Sequence, residues 1–228
     1  MNTNAWNWEF AFEVFPHIIR AIGVTISVTF IAFFIALTIG LLLTLLRRSK
    51  IKIISWVTGG IIEFVRATPP LVQLFFVYYA TDLNGFQTGA IVLGLHYSTY
   101  ISEIYRSGIE AVPQSQWEAS KALNFTNAQT WRKVILPQAI PPVIPMLGNY
   151  LIVLFKETPL LSAIFVVEML QVAQSIGGQT FRYVEPITIV GLLFLVLSYP
   201  SALFIRYLEQ RFGKVDKNSP VQQRGVKA

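Results

Sequence analysis

The sequence predicts an all-α integral membrane protein with five transmembrane helices, an outer N-terminus and a cytoplasmic C-terminus. Two observations lead to this prediction. Of the 228 residues, 54% are hydrophobic and only 13% are charged, and the mean hydropathy is +0.54. The Lys and Arg residues form clusters that directly follow apolar runs. Because an ordinary soluble domain has about 25% charged residues, we expect the apolar surface of this chain to face lipid.

The first predicted span covers residues 21–46, which include no charged residue. As a helix it would be about 39 Å long, enough to cross a hydrocarbon core of about 30 Å with some tilt. A basic cluster follows at once, formed by Arg47, Arg48, Lys50 and Lys52. Basic clusters in short loops stay in the cytoplasm, which places the N-terminus outside.

The second and third predicted spans cover residues 64–80 and 86–108, and the turn between them holds Asp82 and no basic residue. The polar segment 111–133 contains Lys121, Arg132 and Lys133 and is therefore predicted to lie inside. A fourth span begins among the prolines of residues 137–145 and ends near residue 155. The second and third spans are thus joined by an outer turn, and the third and fourth by a cytoplasmic segment.

The apolar run 159–170 has 12 residues and is too short to cross, so it is predicted as a re-entrant or interfacial element on the outer side. The fifth span covers residues 186–205 and is followed by a basic C-terminal segment. We predict one membrane domain over residues 1–215 and a disordered cytoplasmic tail over residues 216–228. Because five spans make a thin pathway, a second membrane subunit, identical or related, is expected.

The composition excludes several classes of site. The chain has no Cys and two His, so thiol chemistry and Cys-ligated or His-based metal sites are not expected. No GxxxxGK[ST] phosphate loop and no Ser-His-Asp arrangement is found in the sequence. We therefore predict no catalytic residue and no metal site. The net charge of +6 lies in patches beside apolar runs, which topology explains better than nucleic-acid binding.

The cytoplasmic segment 113–137 is predicted to form a helix, a turn and a second helix. Ser115 lies three residues before Glu118, the spacing of a capping box, which predicts that the first helix starts at Ser115. Thr126 and Gln129 repeat this spacing at the start of the second helix. Asn124 lies between them and tolerates the left-handed conformation that a helix C-terminus needs.

This segment resembles the EAA loop of ABC importer permeases. The resemblance rests on Glu118, Ala119, Ser120, Leu123, Asn124, Ile135, Leu136 and Pro137. It implies the type I permease fold in the bacterial inner membrane, and a coupling helix that docks into a cytoplasmic ABC ATPase dimer. The implied docking residues are Glu118, Ala119, Ser120, Leu123 and Asn124. The family usually has Gly at the position of Asn124 and Ala at the position of Ser120.

The same resemblance implies how the work is divided among subunits. ATP and Mg would be bound by the partner ATPase, so this chain would be no enzyme and would hold no cofactor of its own. An extracytoplasmic solute-binding protein would deliver the solute. From the residues alone, an ion-coupled secondary carrier of a small polar solute is the alternative.

The resemblance extends to residues 63–79, 100–119 and 136–164, which look like the polar amino acid branch of these permeases. Within that branch, LHYSTYISEIYRSGIEAVP, KALN and FRYVEPITIVGLLFLVLSYP are most similar to the permease of ectoine and hydroxyectoine importers. The implied solute is a polar amino acid or a related zwitterionic compatible solute.

Charged residues on apolar helices are candidates for the substrate pathway, because each charge at mid-bilayer would cost about 2.5–3.5 kcal/mol. Glu63 with Arg66, and Glu103 with Arg106, have the i, i+3 spacing of ion pairs near the inner border. They either brace neighbouring helices or line the inner vestibule. A third pair, Lys156 and Glu157, either contacts a zwitterion or pairs within the protein. Glu118 either docks the ATPase or only completes the capping box, and the lone His96 is predicted to be a packed interior residue.

Overall fold

The computed structural model describes residues 6–212. The end of the predicted domain at residue 215 and the predicted tail at 216–228 lie outside the described residues. The helices are α1 Trp8–Arg20, α2 Ile22–Arg47, α3 Lys52–Ala67, α4 Pro70–Ala80, α5 Gly85–Glu110, α6 Gln114–Ala122, α7 Asn127–Thr130, a π-helical segment Trp131–Ile135, α8 Leu136–Glu157, a 3-10 helix Thr158–Ile164, α9 Met169–Thr180 and α10 Val184–Phe212.

The helix α5 is the centre of the fold, and it packs along α2 and against α3, α4 and α8. Small residues recur every four positions on the buried face of α2, at Ala32, Ala36 and Gly40. This spacing lets two helix backbones approach closely, which is the main source of helix association where lipid removes the hydrophobic driving force. A Cβ atom added at Gly94 of α5 would lie only 3.0 Å from the carbonyl oxygen of Ala32.

The second predicted span is wrong as a single helix, because α3 and α4 meet at an angle of 100°. Pro69 and Pro70 follow Thr68, and a residue before proline is pushed out of the helical conformation; Thr68 is extended, with φ −104° and ψ 136°. The side chain of Gln73 then donates to the carbonyl oxygens of Val65 at 2.9 Å and Thr68 at 3.2 Å. These hydrogen bonds satisfy carbonyl groups that have lost their backbone N–H donors where the helix breaks.

Within residues 6–212, three helical stretches are long and apolar enough to cross a membrane, and the bent pair α3–α4 would be a fourth. The three are 8–47, 127–164 and 184–211. The third predicted span corresponds to α5, which has 26 residues but is not among them. Many polar residues of α5, including His96, Ser98 and Ser102, are buried against neighbouring helices. A span enclosed by protein does not need the apolar surface of a lipid-facing one.

The helix α1, which the sequence analysis did not predict, packs with α9 and α10 in a separate apolar cluster. Asn7 caps α1, and its backbone N–H donates to the buried Glu185 carboxylate at 3.0 Å. The same carboxylate accepts from the Arg182 guanidinium, which lies over the Phe10 ring. A hydrogen bond to this carboxylate and a cation–π contact therefore tie the start of α1 to the start of α10.

The run 159–170 does not form one helix. It is divided between the 3-10 helix, a turn at Phe165 and the start of α9. Glu168 is fully buried and caps α9 by accepting from the N–H groups of Leu170 and Gln171. Burial raises the pKa of the Glu168 carboxyl, and these two hydrogen bonds oppose that rise.

Candidate functional site

The predicted helix, turn and helix between α5 and α8 are present. Asn124 has φ 55°, the left-handed conformation expected for it. The capping box of Thr126 and Gln129 is also confirmed at the start of α7. The Ser115–Glu118 capping box is wrong, since α6 begins at Gln114 and no side chain caps it. A cap residue must be extended, and here that residue is Pro113, with ψ 140°.

The implied docking residues do not all lie on one face of α6. Glu118, Ala119, Leu123 and Asn124 are exposed, and Leu123 exposes 67% of its surface. An exposed carboxylate on α6 and an exposed leucine at its C-terminal turn form a surface that a partner protein could cover. Ser120 lies on the buried side, where its hydroxyl donates to the Gln116 carbonyl oxygen at 2.8 Å.

Four of the predicted pathway residues line a single cavity of about 340 Å³. Glu63 and Arg66 come from α3, Glu103 and Arg106 come from α5, and Arg47 at the end of α2 joins them. The cavity thus brings three guanidinium groups and two carboxylates together. Its volume falls in the range of about 300–1,000 Å³ that is typical of small-molecule sites.

The two predicted ion pairs of this cavity behave differently. The Glu103–Arg106 pair is confirmed, with the Arg106 Nε atom 3.0 Å from both Glu103 oxygens, and Arg106 also pairs with Glu110. The predicted Glu63–Arg66 ion pair is wrong. Among the described residues, these two side chains are not within ion-pair distance. Arg66 instead donates to the Thr99 carbonyl oxygen, and its guanidinium carbon lies 4.9 Å from the centre of the Tyr100 ring. The aromatic face competes for the guanidinium by a cation–π interaction.

Beyond Arg66, three tyrosines from two helices form an aromatic cluster. Tyr100 lies 5.9 Å from both Tyr97 on α5 and Tyr150 on α8, and Tyr97 lies 6.1 Å from Tyr150, between ring centres. Such separations are those of rings in direct contact. The three side chains, which we call the tyrosine cluster, therefore close the space between α5 and α8 in this conformation.

His96 is buried, as the sequence analysis predicted, and lies at the edge of the tyrosine cluster. Its Nδ1 atom is 3.2 Å from the Gln73 side-chain oxygen. Because the Gln73 amide nitrogen already donates to α3 carbonyl groups, its oxygen must accept, which assigns the hydrogen to Nδ1 of His96. His96 thus fixes the bend between α3 and α4 onto α5.

The last predicted pair, Lys156 and Glu157, lies at the end of α8. The Glu157 carboxylate lies near enough to the Tyr97 hydroxyl group to act on it electrostatically, whereas the Lys156 side chain is exposed. Arg66 therefore contacts Tyr100, and Glu157 lies near Tyr97, a different member of the tyrosine cluster. A cation and an anion so placed can meet the carboxylate and the ammonium group of a zwitterion.

Sequence reasoning missed Gln73, Tyr97, Tyr100 and Tyr150. Tyr97 and Tyr100 have the i, i+3 spacing of neighbours on one helix face, which is a signal for their proximity. No comparable signal connects Tyr150 or Gln73 with them, because those contacts depend on how α4 and α8 pack against α5.

The fold and these sites define an α-helical membrane protein with charged and aromatic groups inside its helical framework. Residues 36–214 match the family described as "Binding-protein-dependent transport system inner membrane component". The chain belongs to this family, and it is a multi-pass protein of the inner membrane.

Relatives match nearly the full length of the chain. "Probable amino-acid ABC transporter permease protein y4tG" of Sinorhizobium fredii is 42% identical over 90% of this chain and 91% of its own. "Probable amino-acid ABC transporter permease protein YckA" of Bacillus subtilis is 35% identical over 92% of this chain and 97% of its own. A solved structure described as an amino acid ABC transporter with histidines has a TM-score of 0.85 and 33% identity, and covers 91% of this chain and 99% of its own.

Proposed function

We propose that this chain is the permease subunit of an ATP-driven importer for a polar amino acid or a related zwitterionic compatible solute. The observation that carries the proposal is the exposed helix and turn of α6 and α7, in a chain whose family supplies the membrane part of binding-protein-dependent transport systems. A separate ABC ATPase dimer would bind ATP and Mg and hydrolyse the nucleotide. This chain would then convert the movement of that dimer into alternating access.

The docking surface comprises Glu118, Ala119, Leu123 and Asn124. Its apolar member would be buried against the ATPase, and its carboxylate would meet a donor there. Further partners are a second permease subunit, identical or related, which completes the pathway, and an extracytoplasmic solute-binding protein. Membrane lipid surrounds the subunit, and we expect no nucleic-acid partner.

The substrate pathway runs past the tyrosine cluster, between Glu157 and the charged cavity. Arg66 supports this proposal because it belongs to both places, lining the cavity and stacking on Tyr100. Its buried Nε atom has no hydrogen-bond partner among residues 6–212. A buried donor without a partner costs free energy, and a rotation of the Arg66 side chain toward the cavity would let a substrate carboxylate satisfy it.

Replacing Arg66 by Ala tests whether this residue lines the substrate pathway or only braces neighbouring helices. If Arg66 meets the solute, the KM for uptake rises about tenfold or more, because a buried charged contact is worth about 1.5–3 kcal/mol. Arg20→Ala, an exposed cation of α1, is the matched control. Uptake kinetics and thermal melting of the reconstituted transporter measure the effect. An unchanged KM together with a lower melting temperature would show that Arg66 only braces the helices.

The finer identity of the solute rests on sequence resemblance. Ectoine and hydroxyectoine are candidates from LHYSTYISEIYRSGIEAVP and KALN, whereas the relatives are named for amino acids. Both classes carry one carboxylate and one cationic group, which fits Arg66 and Glu157. The test is ATP-driven uptake by the complete transporter with a panel of unlabelled competitors. If ectoine competes and no amino acid does, the solute is a compatible solute of the ectoine type. If an amino acid competes and ectoine does not, ectoine is excluded as the solute.

We also propose five spans with an outer N-terminus, counting α5 and the bent pair α3–α4 as one span each. The chain has no cysteine, so single cysteines report topology directly. A cysteine at Asp82 or Gln179 should react with an impermeant maleimide in intact cells, and a cysteine at Gln114 should react only after permeabilisation. Labelling of Gln114→Cys from outside would refute this topology.

A further inference from the structure

The attachment of α6 to the membrane helices is narrow. The helix packs mainly against the π-helical segment, and Ser120 is its one fully buried residue in the part of the chain that the structure describes. A cavity of about 380 Å³ lies beside it, lined in part by Arg48, Glu110 and Trp117. The helix can therefore shift without first breaking a large apolar interface.

An aromatic pair is part of the apolar cluster that holds α6, beside a 3.4 Å hydrogen bond from Gln138 of α8 to Gln116. The Trp117 and Trp131 rings are 5.4 Å apart between centres and nearly perpendicular, at 84°. Edge-to-face packing of this kind adds a directional preference to the burial of the two rings. The Arg48 guanidinium carbon, at the end of α2, is 5.9 Å from the Trp131 ring centre. Trp131 thus contacts α6 on one side and the end of α2 on the other.

Trp131 also begins the segment that leads into α8. Its carbonyl oxygen accepts from the N–H of Leu136, five residues on, which is the π-helical pattern. Pro137 has no N–H to donate, so an ordinary helical ladder could not be completed at this point. The far half of α8 carries Tyr150 of the tyrosine cluster and Glu157. The chain from Trp131 to this end of α8 is continuous helix.

We propose that the Trp117–Trp131 pair is the joint through which movement of α6 reaches α8, and that Trp131 is a positioning residue for transport. This inference rests on the proposed function, because it needs an ATPase that moves α6. Trp131 itself lies outside the docking surface. It acts by keeping α8 in register with α6 while the ATPase opens and closes.

The test uses the complete transporter in proteoliposomes, with Trp131→Leu, Trp131→Phe and the exposed Trp56→Leu as a matched control. The measured quantities are ATPase retained on purification, ATP hydrolysis and solute taken up per ATP. Trp131→Leu should keep the ATPase bound and hydrolysing while solute per ATP falls about fivefold, the scale of one aromatic contact. Trp131→Phe should retain most of the solute taken up per ATP by the unmutated transporter, and Trp56→Leu should leave this ratio unchanged.

Two outcomes would overturn the inference. Unchanged solute per ATP in Trp131→Leu would show that α8 receives its movement elsewhere. Loss of the ATPase from that variant would show that the pair only holds α6 in place for docking. If the unmutated transporter showed no ATP-driven uptake at all, the proposed function itself would fail, which separates that failure from failure of the joint.

Discussion

Replacing Glu118 by Ala should weaken the association of this chain with its ATPase by about 30-fold, since truncating one member of a buried charged contact costs about 2 kcal/mol or more. The alternative role of Glu118 as a capping partner is removed by the structure, because α6 starts at Gln114 without a side-chain cap. The substitution should therefore leave the stability of the permease within about 0.5 kcal/mol, as for other exposed positions. Co-purification of the ATPase and the thermal melting of the permease measure the two effects.

Glu13→Ala is the matched control, since Glu13 is an exposed carboxylate on α1. It should retain the ATPase and coupled uptake fully. Normal assembly and uptake in Glu118→Ala would contradict the docking role. A melting temperature that fell together with assembly would instead point to a structural role for this carboxylate.

The largest loss of stability is expected for Gly94→Leu. A Cβ atom at this position would lie 2.7 Å from the Ile35 Cβ atom and 3.0 Å from the Ala32 carbonyl oxygen. Neither atom is the end of a flexible side chain, so α2 and α5 would have to move apart. Overpacking of this kind costs about 1–3 kcal/mol and often more where backbone is involved. The result should be a lower melting temperature in detergent and a smaller yield of monodisperse protein.

Gly191→Leu serves as the control, because nothing lies within 4 Å of a Cβ atom added at Gly191 of α10. It should fold normally, with no loss of stability, since Leu is a better helix former than Gly. Equal melting temperatures for Gly94→Leu and the unmutated chain would show that the close α2–α5 contact does not limit the stability of the fold.

Most local signals in the sequence predicted the local structure; the Ser115–Glu118 spacing did not, because Pro113 takes the cap position of α6. The uncharged run at 21–46 became α2, and the Thr126–Gln129 spacing became the start of α7. These features depend on residues close together in the chain. The position of Asn124 in the left-handed conformation was predicted for the same reason.

The failures involve competition between local and distant partners. Spacing alone paired Glu63 with Arg66, but the fold brings Tyr100 and the Thr99 carbonyl group to that guanidinium. The bend between α3 and α4 was missed because residues 64–80 were predicted as one span, whereas Pro69 and Pro70 end α3 and Gln73 stabilises a full break. The tyrosine cluster needed the packing of α8 on α5, which no short pattern encodes.

Measuring which energy source drives uptake, ATP or an ion gradient, tests the central claim most directly. Proteoliposomes containing the purified complex should take up a labelled amino acid or ectoine only when ATP is available to the ATPase and the binding protein is present. An ATPase variant that binds but does not hydrolyse ATP should abolish this uptake. Uptake by this chain alone, driven by an ion gradient without any ATPase, would contradict the account and establish a secondary carrier.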